Sequence, residues 1–115
     1  AMSKFDELIV KYKASMDKHE IKGVSMKLVT AVAKSLGPSI YNKNSQLVAC
    51  AQAPERDRVK NNYLIKKLGL EDGPKLDKAV LDVCAKMGSR NRTKHRPIFY
   101  ALLAKKFKKT DMYTS

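Results

Sequence analysis

A chain of 115 residues with a net charge of +13 and 43% hydrophobic content has the length of one domain and enough apolar material for a core. Its five glycines and four prolines exclude collagen-like and low-complexity classes. No apolar run approaches the roughly 20 residues that a membrane-spanning helix needs, and the charges inside "KFDELIVKYK" are unlike a signal peptide.

Ala1, ahead of Met2, reads as a cloning remnant before a Met-Ser start. Ser3 and Asp6 have the spacing of a capping pair for a first helix, whose apolar stripe is Phe5, Leu8, Ile9, Tyr12 and Met16. That helix fades near His19, with Gly23 as a turn. Ser25 caps a second helix carrying Leu28, Val29, Val32 and Leu36, which stops at Gly37-Pro38. The stretch "SIYNKNSQLVACAQA" has no second β-patterned run to pair with, so it is expected as loop with a short helix over residues 46–51. Ile40 and Tyr41 are expected to plug a gap between helices.

Pro54 opens a third helix with Val59, Tyr63, Leu64, Ile65 and Leu68 on one face, closed by Gly69. Pro74 opens a fourth, with Leu76, Ala79, Val80, Val83, Cys84 and Met87 as its stripe and Gly88 beyond its end. A fifth begins near Pro97; Ile98, Phe99, Leu102, Leu103 and Phe107 cover so wide a face that it should be central and well buried. The last residues, "TDMYTS", read as a frayed tail. The expected architecture is all-α: residues 1–115 form a single domain, a compact bundle of about five helices with a non-regular segment around residues 37–53.

Cys50 and Cys84 are too few for a disulfide framework, and with His19 and His95 they make a poor zinc set. They are expected as free, buried thiols, which suits a reducing cytosol. No metal site and no cofactor is expected. Carboxylates occur at helix starts and on polar faces, where capping and dipole effects account for them. No nucleophile elbow, phosphate-binding loop or zinc-protease motif is present. Cys84 and His95 could pair as nucleophile and base, but a thiol on the apolar side of its helix is inert. The chain reads as no enzyme.

Charge is distributed unevenly. Residues 1–36 carry +3, residues 37–53 carry +1, residues 54–88 carry +2, and residues 89–115 carry +7. The excess gathers before and after the fifth helix, in Arg90, Arg92, Lys94, His95 and Arg96, and in Lys105, Lys106, Lys108 and Lys109. Basic groups sit unfavourably at a helix N-terminus. Arginine forks and free helix N–H groups nevertheless suit phosphate. These nine residues are the candidate anion or nucleic-acid contacts. Internal pairing of Arg90, Arg92 or Arg96 with Glu71, Asp72, Asp6 or Glu7 is the competing explanation.

The blocks "SKFDELIVKYK", "LGPSIYN", "VKNNYLIKKLGLEDGPKLDKAV" and "SRNRTKHRPIFYALLAKKF" together resemble a small bacterial family of uncharacterised proteins, a domain of unknown function. The resemblance implies a stand-alone, cytoplasmic, helical protein and supplies no catalytic residue. The function expected is weak, salt-sensitive binding of nucleic acid or another polyanion. The alternative is a protein-interaction or self-associating module, with a protein partner or a second copy, whose basic surface serves solubility.

Overall fold

A computed structural model describes residues 2–114. Its helices are α1 (Lys4–Lys18), α2 (Met26–Leu36), α3 (Ala53–Arg58), α4 (Pro74–Lys86), α5 (Arg96–Lys106) and the short α6 (Asp111–Thr114). A 3-10 turn, Gly37–Tyr41, follows α2, and α3 continues without a break as a π-helix over Val59–Lys67. The all-α expectation holds, and the reading of Ala1 lies outside the described residues.

Local signals act where the sequence places them. Ser3 Oγ accepts from the Asp6 N–H at 3.1 Å, and the Asp6 carboxylate accepts from the Ser3 N–H, forming a capping box. Ser25 Oγ accepts from the Leu28 N–H at 3.1 Å. Gly37, with φ at +65°, ends α2 in a region closed to most side chains. α5 is the core's axis: every residue from Pro97 to Ala104 is buried. It packs against α2 and α4, while α6 packs against α2 and the α3 segment against α4.

Four expectations fail for identifiable reasons. Residues 46–51 are not helical; Leu47 pairs with His95 in an isolated antiparallel bridge. Val48 N–H donates to Lys94 O and Arg96 N–H to Gln46 O, both at 2.9 Å. The partner lies in a charged stretch with no alternating apolar pattern. Tyr41 is 47% exposed and only Ile40 fills the core, because the 3-10 turn sends the two side chains apart. The tail from Thr110 is not frayed: Tyr113 lies 2.9 Å from Tyr63, hydroxyl to hydroxyl, and that contact anchors α6; Ser115 lies outside the described residues. Finally, the cysteines are not free. Packing of α3 on α4 brings Cys50 and Cys84 to a Cα–Cα distance of 5.9 Å, and they form a disulfide.

That bridge closes a loop across a sequence separation of 34 residues. Loop-closure entropy assigns such a crosslink about 3–4 kcal/mol. Replacing both cysteines by serine should therefore lower the unfolding free energy by about that amount, measured by urea denaturation. Dithiothreitol should destabilise the parent equally and leave the double variant unchanged.

Candidate functional site

α4 faces the core with Leu76, Ala79, Val80, Val83 and Met87, so helical geometry turns residues 75, 78, 82 and 86 outward in a single stripe. Three of them are Lys75, Lys78 and Lys86; the fourth is Asp82. The C-terminal end of α5 lies alongside. Because α5 is buried through Ala104, Lys105 and Lys106 are its first exposed residues.

The α5 terminus is a Schellman turn: Lys109 N–H donates to Ala104 O at 2.8 Å and Lys108 N–H to Lys105 O at 3.2 Å. This geometry demands a left-handed residue, normally glycine or asparagine, and Lys108 takes it with φ at +58°. A lysine is thus held in a backbone conformation that disfavours it, at the edge of the stripe.

Two adjoining depressions result. One of about 430 Å³ is lined by Lys75, Lys78, Asp82, Lys106, Phe107 and Lys108. The other, about 360 Å³, is lined by Asp82, Lys86, Lys105 and Lys106 among others. Asp82 and Lys106 belong to both, so the two form one groove in which six lysines surround a single carboxylate. Asp82 lies 3.0 Å from Lys78 Nζ and 3.5 Å from Lys106 Nζ. The Lys78 hydrogen bond, with Lys106 behind it, holds the Asp82 carboxyl below its ordinary pKa. The other nearby acids are spent elsewhere. Asp77 and Asp72 both pair with Lys60, at 3.1 and 3.5 Å, and Asp77 in particular raises the Lys60 pKa. Among the described residues, Lys75, Lys86, Lys105 and Lys108 have no ion-pair partner.

The basic approach to α5 is divided by the Leu47–His95 bridge. Side chains alternate across an extended segment. Thr93 and His95 accordingly face one cavity, beside α1, while Arg92 and Lys94 face another, beside the disulfide. Lys94, His95 and Arg96, expected among the anion contacts, are turned inward. Lys94 is buried with its Nζ donating to Asn91 O, and burial lowers its pKa. The His95 ring packs edge-on against Tyr12, centroids 5.2 Å apart. Burial, then Lys11 and His19, push its pKa down to about 4, so it is neutral at pH 7.

Arg96 is a structural clamp. Its Nε donates to Ser45 O at 2.6 Å, Nη2 to Leu47 O at 3.1 Å, and Nη1 to the Tyr100 hydroxyl at 2.8 Å. Nη2 also lies 3.4 Å from Glu55 Oε1, with both side chains about nine-tenths buried. Internal pairing is therefore real for Arg96, but its partner is Glu55 and none of the acids expected from sequence. Arg90 and Arg92 are exposed, and neither lines the lysine groove. Lys109 is half-buried beside it without lining it.

Of the nine candidates, then, the groove collects Lys105, Lys106 and Lys108 and adds Lys75, Lys78 and Lys86. The additions were hidden by summing charge along the chain: six acids share the window of residues 54–88 with them. The signal was positional, a lysine stripe beside the apolar stripe of α4.

Residues 11–111 match the model of a family described as "Protein of unknown function (DUF2853)". The chain belongs to this family. The DUF2853 match runs from the middle of α1 to the first residue of α6, with both the groove and the Arg96 clamp inside it. No curated protein matches the chain.

The clamp and the exposed arginines make opposite predictions. Arg96→Ala strips two part-buried carbonyls of a donor and leaves the buried Glu55 carboxylate only the exposed Arg58, 3.6 Å away, and should cost about 3 kcal/mol. Arg90→Ala and Arg92→Ala should each stay within about 0.5 kcal/mol of the parent. Urea denaturation of the three variants reads both outcomes.

Proposed function

We propose that the chain is a non-enzymatic domain that attaches weakly to a polyanion, above all nucleic acid, through the lysine groove between α4 and α5. The observation that carries this reading is the ratio in the groove, six lysines to one carboxylate. Opposed charges usually intermix on a protein surface, and a low-lying groove of one sign concentrates its field on an approaching anion. From Lys75 to Lys86 the stripe runs about 16 Å at 1.5 Å per residue. That matches about five base-pair steps at 3.4 Å each.

Such contacts go to phosphates and carry little sequence information. α5 has no free face with which to read bases, being buried from Pro97 to Ala104. Binding should therefore be weakly specific and driven by counterion release. Arg90 and Arg92, exposed at the other end of α5, are a secondary contribution to the same field. The self-association alternative expects an apolar patch on one helix. The large exposed apolar side chains Met2, Val10, Tyr41, Leu81 and Met112 come from five separate segments, which favours the polyanion reading. Among the described residues no helix is long and apolar enough to cross a membrane. The bridged cysteines withdraw the cysteine argument for a reducing cytosol; binding through the groove does not depend on compartment.

Titration against mixed-sequence duplex DNA and RNA at 50 and 200 mM salt tests the reading. With four to six phosphate contacts, affinity should fall by about a hundredfold or more between the two. A variant carrying Lys75→Gln, Lys86→Gln, Lys105→Gln and Lys108→Gly should bind weakly and lose most of the salt slope. It should remain folded, since Lys108→Gly relieves the left-handed backbone. Absence of binding at low salt, or an unchanged affinity in the folded variant, would contradict it.

A further inference from the structure

A cavity of about 390 Å³ lies between α1 and the Leu47–His95 bridge, and it shares no lining residue with the lysine groove. α1 presents one helical stripe to it, Leu8, Lys11, Tyr12, Ser15, Lys18 and His19. The opposite wall is Ile40, Gln46, Leu47, Thr93 and His95. Its volume lies in the range of small-molecule sites, and its lining has the character of one: apolar walls with a few convergent polar groups.

Three of its polar groups make no hydrogen bond to the protein, and one of the three is fully buried. Ser15 is 8% exposed, and its Oγ makes no hydrogen bond, although a serine inside a helix commonly returns one to a carbonyl a turn earlier. Among the described residues, neither the Tyr12 hydroxyl nor the His95 imidazole has a hydrogen-bond partner in the protein; unlike Ser15 Oγ, their polar atoms are reached by solvent from the cavity they line. Native proteins satisfy buried polar groups in the great majority of cases. One such group, Ser15 Oγ, beside a hydroxyl and an imidazole that face the cavity without a protein partner, points to a ligand that engages them. Lys11 and Lys18 are exposed beside it and His19 is half-buried; no carboxylate lines the cavity. One acid, Glu7, lines the adjoining depression with Lys4 and Lys11.

We propose that this cavity binds a small organic anion, its acidic headgroup held by the Tyr12 hydroxyl, the His95 imidazole and the flanking Lys11 and Lys18, its short apolar body lying on Ile40 and Leu47. The bound anion replaces the missing partners of the floor and offsets the cations of the rim. Lys11, Lys18 and His19 on α1, and Tyr41 on the 3-10 turn next to Tyr12, are the other titratable groups facing the pair. At neutral pH His95 is uncharged, and burial raises Tyr12 to about 12, so its hydroxyl keeps its proton. An anion beside His95 favours the protonated imidazole. Binding therefore takes up a proton, and affinity rises as pH falls from 7 towards 5.

Propanesulfonate, which stays charged throughout that range, is the probe, and propyltrimethylammonium, a cation with the same tail, is the control. Histidine C2-proton spectra should show a saturable shift of His95 with the sulfonate alone, tightening as pH falls from 7 to 5. Tyr12→Phe removes a hydroxyl that bonds to nothing in the fold, so melting should be unchanged while binding weakens about fivefold to tenfold. Lys18→Gln, an exposed substitution, should weaken it likewise and serves if Tyr12→Phe melts early. No saturable shift, an equal shift with the cation, or full affinity in the folded variants would overturn the proposal.

Discussion

The Arg96 guanidinium joins parts of the chain that are up to 51 residues apart in sequence: the Ser45 and Leu47 carbonyls, the Glu55 carboxylate and the Tyr100 hydroxyl one turn along its own helix. Its planar fork suits this task, since three nitrogens donate in fixed directions to four acceptors. The backbone N–H of the same residue closes the bridge to Gln46. The unfavourable charge at the start of α5 is thereby answered locally. The clamp fixes the segment over residues 45–48 against the approach to α5, and that contact decides which way every neighbouring side chain points.

From this one constraint come the separate surfaces of the molecule. The alternation set by the bridge sends His95 and Thr93 towards α1 and Lys94 and Arg92 towards the disulfide. On α4 and at the end of α5, six lysines meet around the single carboxylate of Asp82. Basic character in this protein is therefore of three kinds: a clamp in the core, neutral or low-pKa groups on cavity walls, and lysines in an open groove. The last kind is the largest solvent-facing group of cations gathered in one depression among those described above. The disulfide reinforces the same region, tying the loop that follows the bridge to the flank of α4.

Much of the fold was legible in the sequence because its signals are local. Ser3 with Asp6, Ser25, Gly37, Gly69 and Gly88 mark helix ends through hydrogen bonds and dihedrals that a few neighbouring residues decide. The broad apolar face of α5 announced its burial for the same reason. What was illegible depends on pairing at long range. Leu47 and His95, Cys50 and Cys84, and Tyr63 and Tyr113 each meet across 34 to 50 residues, and none carries a pattern that names its partner. The candidate site was half legible. Lys105, Lys106 and Lys108 stood out as a run, whereas Lys75, Lys78 and Lys86 were masked by acids such as Asp77 that the structure pairs with Lys60.

Native-state hydrogen exchange tests the organising role of the clamp most directly. The Val48 and Arg96 amides, which make the bridge to Lys94 O and Gln46 O, should be protected as strongly as an α5 core amide such as that of Leu103. If the two instead exchange as fast as an exposed loop amide such as that of Lys43, the clamp does not hold the segment, and the partition of the basic residues loses its cause.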